Sequence, residues 1–477
     1  MHRWATGYIV AGVLIGPFLA VLDQTMVSVA LPRIVAEVGG KAWYAWLKVS
    51  YLFFSTMATL IVGRLVEILP RKPVVLWTFV VYTVGSVLCA LTPVGNGDEA
   101  GFSGAFLWLM VARAVQGMGG GALFAVAFAT LAWLFPPRER SRWAGLVGAV
   151  FGIAATIGPP LGGFLTDTLG WRWTFWINLP LGLVGLFLIA YALPVLPPAG
   201  KGKMDWPGAA LLTLWAGSWL LSVSAFGAQK ALPGWMGLVL MAVGLISFGV
   251  WIRIEQHAES PLFDLSYLKI PSFRHTVLAS FAFGPIFFGV VAFSPLYLQK
   301  VLGQAPSLSG RYLLILVVMS VVSTAWAGSW VSRHGRYKPL LWWGSVVLGG
   351  LLGVGAAFLP PSLGGGTLAI MLGGIGLAMG PMQALLGVIA QNHVPQARVG
   401  TVTSAVLFAR QMGASWGLAA LNALYSYGLD QSGEVRIGIQ AALSGMVLLS
   451  IALLVSVGLL PDQRLRRRHI EEEVASV

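Results

Sequence analysis

Charge is scarce in this chain. Asp, Glu, Lys and Arg make up only 10% of its 477 residues, against 57% hydrophobic residues, whereas a soluble domain carries roughly a quarter charged residues. No water-soluble surface can be built from that supply, so the chain belongs in a bilayer. Cys89 is its single cysteine, which excludes an intramolecular disulfide and a thiolate metal cluster. No G-x-x-x-x-G-K-[ST] loop is present to cradle a nucleotide phosphate; the Gly-Lys pairs at Gly40, Gly200 and Gly202 are followed by Ala, Gly and Met. The six histidines fall in loops or at span edges and form no H-E-x-x-H pattern, so no metal site is expected. No nucleophile and base come within reach of one another at membrane depth, so no enzymatic activity is expected either.

The apolar residues are organised. About 20 of them in a row span about 30 Å of hydrocarbon as helix. Fourteen such segments occur, at 7–31, 43–67, 74–93, 106–134, 143–168, 174–196, 207–227, 234–253, 272–298, 309–332, 339–359, 366–391, 398–427 and 437–460. The residues left over make only short connections, with no room for an extramembrane domain of about 50 residues. The first segment has no A-x-A-like cleavage site behind it and reads as an anchor rather than a removed signal peptide.

Net charge is +13, but its distribution argues against nucleic acid as a partner. With the N-terminus placed in the cytoplasm, 20 of the 30 Lys and Arg residues fall on the inner side and 8 on the outer, the bias that orients multi-pass proteins. The other two, Arg113 and Arg410, lie within spans. The expected location is therefore a cell inner membrane with both termini cytoplasmic.

Ionisable groups at membrane depth mark function unless they are paired for structure. Of the 17 acids only Asp23 lies clearly within a span, with Glu67 and Asp167 at span ends. Asp23 is about 13 Å and Arg113 about 10 Å below the same face at 1.5 Å per residue, so the two opposite charges share a level. A paired carboxylate stays ionised, and one left alone in apolar surroundings takes up a proton. A pair that opens and closes alternates between these states, as proton coupling requires; the alternative is a static ion pair. Arg410 has no acid at its depth in the second half of the chain. Two readings stay open for it: satisfaction by backbone carbonyls, Gln383, Gln391, Gln411 or Asn422, or contact with an anionic group on a substrate or lipid.

Glycine supplies the other signal. In the fifth segment Gly148/Gly152 and Gly158/Gly162 are each four apart, a spacing that lets helix backbones approach closely. Pro159 and Pro160 remove amide donors there, which suggests a helix that hinges or seals. Pro17, Pro285 and Pro381, each preceded by glycine, mark expected bends in cavity helices.

These residues resemble the major facilitator superfamily, specifically its fourteen-span drug/proton antiporter branch, along essentially the whole chain. The segment LDQTMVSVALP, Leu22 to Pro32, resembles the acidic first-span motif and puts Asp23 at its key position. RAVQGMGGG, Arg113 to Gly121, is similar to the fourth-span motif whose arginine is implicated in proton transfer. Gly158-Pro159-Pro160-Leu161-Gly162-Gly163 resembles the antiporter motif of the fifth span. WRWTFWINLPLG, Trp171 to Gly182, and PLFDLSYL, Pro261 to Leu268, are similar to further hallmarks of the branch. The loop GRLVEILPRKP departs from the family's G-x-L-x-D-R-x-G-R-[RK]: Glu67 stands for the Asp, Ile68 for the Arg and Pro70 for the Gly. Its second copy, GSWVSRHGRYKP, keeps Arg333, Gly335, Arg336 and Lys338 but has Ser332 at the acidic position.

The resemblance implies an all-α integral membrane protein of the major facilitator fold. Residues 1–200 and 261–460 would form two six-helix bundles, with two inserted spans in 201–260 and a cytoplasmic tail from 461 to 477. It implies a proton-coupled antiporter for multidrug efflux, with Asp23 and Arg113 as coupling residues and Gln116, Gln383 and Arg410 facing a substrate cavity. Gly63, Glu67, Arg71, Lys72, Arg333, Gly335 and Arg336 would form conformational latch loops, and Gly158, Pro159, Gly162 and Gly163 the antiporter motif. No cofactor is expected beyond the proton gradient. The expected partners are a small amphipathic substrate and membrane lipids, with the protein a monomer; whether a periplasmic or lipoprotein partner docks on the short outer loops stays open. With one deep acid, neutral or monocationic compounds are expected over dications. The alternative on the same scaffold is a lipid or glycolipid exporter or flippase.

Overall fold

The structure, a computed structural model, describes residues 3–39, 45–95, 103–195, 198, 202–226, 233–258, 261–304, 306–358, 365–392, 394, 395 and 398–465. The tail beyond residue 465 and the expected boundary at 200/201 lie outside these residues.

The described residues fold into helices α1 (Arg3–Val38), α2 (Ala45–Ile68), α3 (Arg71–Ala90), α4 (Gly104–Leu134), α5 (Pro137–Thr168), α6 (Trp173–Trp176), α7 (Asn178–Ala192), α8 (Trp206–Phe226), α9 (Gly234–His257), α10 (Pro271–Lys300), α11 (Pro306–His334), α12 (Lys338–Phe358), α13 (Gly365–Gln391), α14 (Val399–Ser432) and α15 (Val435–Gly458). Local chemistry sets the boundaries. Ser103 caps α4 by accepting the Phe106 N–H at 3.0 Å, and Pro137 opens α5, where its missing N–H has no partner to lose. Gly433, in the left-handed conformation at φ +70°, closes α14. The expected sixth span is divided into α6 and α7 at Ile177; Pro180, three residues on, has no N–H to continue the ladder across that point.

Among the described residues, twelve helical stretches are long and apolar enough to cross a membrane, α6 and α7 together forming one of them. The two expected spans outside that set are α8 and α14. Helix α14 carries Thr401, Thr403, Ser404, Arg410, Gln411 and Ser415, and it packs among α2, α4, α10, α13 and α15. A helix ringed by other helices need not present an apolar surface to lipid, so its polar content is tolerated.

Helices α1–α7 pack on one another, as do α10–α15, and the α8/α9 hairpin lies against α2 and α14. An apolar groove of about 680 Å³, lined by residues that include Ile61, Trp206, Leu214 and Leu240, runs between the hairpin and α2. Many of the tryptophans face outward, with Trp77 65%, Trp206 61% and Trp235 66% exposed. They cover the lipid-facing surface rather than line an interior cavity.

Glycine sets how closely the helices approach. A Cβ on Gly117 would overlap the Tyr51 carbonyl and one on Gly121 the Ser55 carbonyl, both on α2, while one on Gly119 would meet the Tyr82 backbone on α3. The two glycine faces of α4 thus admit α2 and α3 together. Helix α5 runs unbroken through Pro159 and Pro160 and has two such faces of its own. Gly145, Gly148 and Gly152 lie against Thr324 and Val321 of α11; Gly158 and Gly162 lie against Thr25 and Met26 of α1. The glycines of the three Gly-Pro steps also serve close approach. Gly16 meets Leu123, Gly284 the Arg410 carbonyl, and Gly380 Ser323.

Gly121→Ala is expected to destabilise the protein by about 1–3 kcal/mol through overpacking. Gly104→Ala, where an added Cβ meets nothing within 4 Å, should leave the melting temperature in detergent unchanged. Equal melting of the two variants would show that the α2–α4 contact is not close-packed.

Candidate functional site: a buried acid and the seams between the bundles

The deep acid of α1 is completely buried and closely surrounded. Arg113 Nη1 on α4 donates to Asp23 Oδ2 at 2.6 Å, with the two side chains 2% and 0% exposed. Gln116 Nε2 and Asn178 Nδ2 donate to Asp23 Oδ1 at 2.8 and 2.9 Å. Both amides also donate to Ser86 Oγ on α3, at 2.6 and 3.1 Å, and Arg113 Nη1 reaches Gln116 Oε1 at 2.6 Å. The guanidinium lies 4.3 Å from the Tyr51 ring centroid and 5.8 Å from that of Phe175, placing aromatic π faces against the cation. Arg113 Nε and Asn178 Oδ1 have no hydrogen-bond partner among the described residues.

Taking two ions out of water costs several kcal/mol each, and only close pairing with further hydrogen bonds offsets that cost. Here α1, α3, α4 and α7 each contribute to the offset. Asp23 and Arg113 come together as their depths imply. Gln116, expected in the cavity, is instead 0% exposed inside this cluster; it sits one helical turn after Arg113, on the same face. Asn178 and Ser86 were missed. Their signal was a polar residue inside an apolar segment, and Asn178 belongs to the WRWTFWINLPLG motif. The start of that motif ties the far end of α1: Arg172 and Trp171 donate to Glu37 at 2.5 and 2.6 Å.

The two helical sets meet along two antiparallel seams. In the first, α2 crosses α14. Cβ atoms on Gly63 and Gly400 would overlap Ser404 and the Gly63 carbonyl respectively. Glu67 Oε1 accepts the Thr401 N–H at 2.7 Å, while Arg64 donates to Glu67 Oε2 at 2.9 Å. Thr401 is the third residue of α14, so a carboxylate from one set satisfies an orphan amide at a helix N-terminus of the other. Arg64, three residues before Glu67, supplies a partner that the loop motif at Ile68 does not. Arg398 Nη1 approaches the same carboxylate at 3.9 Å. About seven residues further from this end, Thr56 donates to Gln411 Oε1 at 2.5 Å.

In the second seam α5 crosses α11. Ser141 donates to the Gly328 carbonyl at 2.9 Å, and Arg140 reaches Gln391 of α13 at 3.3 Å. Most polar contacts across both seams lie at the end that carries Arg64, Arg71, Arg140 and Arg398, called the basic end below.

The remaining latch residues divide. Arg71 is buried within the first set, 5.5 Å from the Trp133 ring, and Lys72 is half-buried. The second loop copy does not reach across. Arg333 and Arg336 are exposed, and Gly335, at φ +75°, accepts the Leu465 N–H at 2.9 Å. Lys338 donates to the Gly458 and Leu460 carbonyls at 2.8 and 2.6 Å, and Tyr337 to the Pro461 carbonyl at 2.8 Å. Burial pushes the Tyr337 phenol up to about 12, which keeps it protonated as a donor. This loop therefore clasps the end of α15 within its own set. Among the antiporter-motif residues, Gly158 and Gly162 bring α5 onto α1 within a few residues of Asp23. Gly163 has only an ordinary contact with Val29, at 3.8 Å.

Comparison with known proteins adds a family. The sequence matches the Major Facilitator Superfamily over residues 13–418. It is 34% identical over 431 residues to an uncharacterized MFS-type transporter of Mycobacterium tuberculosis (strain ATCC 25618 / H37Rv), covering 87% of this chain and 59% of that protein. The chain thus spans under two thirds of that relative's length. It is 30% identical over 417 residues to the multidrug transporter protein MdtP of Bacillus subtilis (strain 168), covering 87% of this chain and 74% of MdtP. Among solved structures it superposes on the proton:xylose symporter XylE with a TM-score of 0.68 at 16% identity, each chain covered fully.

Removing one member of the buried pair should cost about 3–5 kcal/mol, because the other charge is left alone. In a melting series in detergent, Asp23→Asn is expected to lower the melting temperature more than the Asp23→Asn/Arg113→Gln double variant does. Strictly additive losses would refute an electrostatic role for the pair.

Proposed function

This chain belongs to the Major Facilitator Superfamily, and from that premise we propose that it is a proton-coupled antiporter exporting hydrophobic or amphipathic compounds across a bacterial inner membrane by alternating access. Both termini and the basic end lie in the cytoplasm, and the geometry described above is the state closed on that side. The observation that carries this reading is the near-complete burial of Asp23 and Arg113 on α1 and α4, the helices that pack against the seam helices α5 and α2.

The sequence of events follows from the contacts. A proton reaching Asp23 from outside cancels its charge and removes the Coulomb attraction to Arg113. The carboxyl then needs fewer of its three donors, and α1, α4 and α7 are released from their shared constraint. Helix α5 rests on α1 through Gly158 and Gly162 and on α11 through Gly145, Gly148 and Gly152, so a shift of α1 is transmitted to the inter-bundle seam. Opening at the basic end withdraws Glu67 from the α14 N-terminus and admits substrate from the cytoplasm or the inner leaflet. Release of the proton inward restores the Asp23–Arg113 pair and favours closure. The proton gradient supplies the energy; the protein itself performs transport rather than a chemical reaction. The similarity to the multidrug transporter protein MdtP supports drugs as the transported class.

The test is a proteoliposome assay with an imposed pH gradient, a panel of amphiphiles of differing charge, and a pH-sensitive dye. Wild type should show substrate-dependent proton flux, and Asp23→Asn should lower it to background. Flux that survives the substitution places coupling on another acid, with Glu67 and Asp167 next in order.

A further inference from the structure

Arg410 is the twelfth residue of α14, about 16 Å from the start of the helix at 1.5 Å per residue, near the middle of the membrane. Gly284 of α10 sits against its carbonyl, and the side chain of its neighbour Gln411 is bonded to Thr56 of α2. It therefore lies where the two helical sets face one another. Its side chain is half-buried although other helices surround α14, so interior space reaches it.

None of the partners available in the sequence engages it. Gln383 donates to Ser320 at 2.8 Å, Gln391 donates to Thr403 at 2.7 Å and accepts from Arg140, and Gln411 accepts from Thr56. Asn422 is exposed, about three turns further along α14. Among the described residues Arg410 has neither a hydrogen-bond partner nor an ion-pair partner for its side chain. The interior carboxylates are committed: Asp23 is sealed with Arg113, and Glu67 is held by Arg64 and Thr401. The acid on which a preference for cations would rest is sealed, whereas a cation with no partner among the described residues lies where the two helical sets meet.

We propose that Arg410 is the recognition point for a single anionic group (carboxylate, sulfonate or phosphate ester) carried on an apolar body, and that this selects amphipathic anions over neutral or cationic analogues. The proposal rests on the export reading above and narrows its substrate class. A guanidinium presents a planar fork of donors suited to two oxygens of one anion, and an ionisable group at membrane depth marks a substrate or ion pathway. The apolar body has a wall close by. Phe287 lies one turn along α10 from Gly284, and its ring meets that of Phe151, on α5 of the opposite set, at 5.9 Å.

The test measures binding of three dansyl probes to the full chain in phosphatidylcholine nanodiscs. They are dansylglycine (anionic), its methyl ester (neutral) and dansylcadaverine (cationic). Dansylglycine should bind about tenfold tighter than either of the others, the scale of one charge-assisted contact. Arg410→Gln should erase that gap, and Arg410→Lys, which keeps the charge but not the fork, should retain part of it. Equal affinities in wild type, tighter binding of the cation, or a gap that survives Arg410→Gln would overturn the proposal. Wild type alone answers the first two, even where a variant fails to fold. Adding phosphatidylglycerol to the discs separates the sources of the anion. Competition that disappears in Arg410→Gln identifies a lipid headgroup, and its absence identifies a free organic anion; both support the site. Binding needs no pH gradient, so the two readings fail separately. Proton flux without charge preference removes the anion site and leaves export standing, whereas charge preference without flux does the reverse.

Discussion

An ionised carboxylate and a guanidinium with almost no access to solvent are stable only while they hold each other and their remaining lone pairs and protons find partners. That constraint organises the first half of the molecule. Asp23 draws donors from α4 and α7, both amide donors share Ser86 of α3, and Tyr51 of α2 faces the cation. Five helices are thereby positioned around one charge pair, and neutralising the acid changes the requirements of all of them at once. A pair on the surface, such as Arg33–Asp167 with both side chains more than half exposed, has no comparable reach, because water replaces either partner at little cost.

In the proposed cycle the consequence travels through helix α5. Its glycines near residue 160 seat it on α1, and those near residue 148 seat it on α11, so one helix touches both the helix that carries Asp23 and the opposing helical set. The other seam has a different chemistry. There Glu67 reaches across to the Thr401 amide at the N-terminus of α14, an interaction that the proposed opening of the basic end would break. One seam thus responds to packing and the other to charge.

Much of this was legible in the residues, for identifiable reasons. Scarce charge and fourteen apolar segments placed the chain in a membrane, and counting 1.5 Å per residue put Asp23 and Arg113 at one level. Glycines four apart announced close helix contacts. Which neighbour each glycine would meet was not legible, because the spacing defines a face and not its occupant; the two pairs in α5 turned out to face different partners. Gln116 illustrates the same limit, since one turn from Arg113 is compatible with either the acid or the cavity. Arg64 shows the reverse. Its i, i+3 spacing to Glu67 stands in the sequence and suffices to place the pair on one helix face. Helix α14 was predicted as a span despite its polar residues, and its surroundings explain how it keeps them.

The central claim is that the charge state of Asp23 sets whether the basic end is closed. Spin labels at Arg142→Cys on α5 and Arg333→Cys on α11, in a Cys89→Ala chain, report that opening directly by pulsed electron paramagnetic resonance. With Asp23 intact at neutral pH the account predicts a predominantly short distance, and with Asp23→Asn a shift of the population to a longer one. The same distribution in both proteins would contradict it.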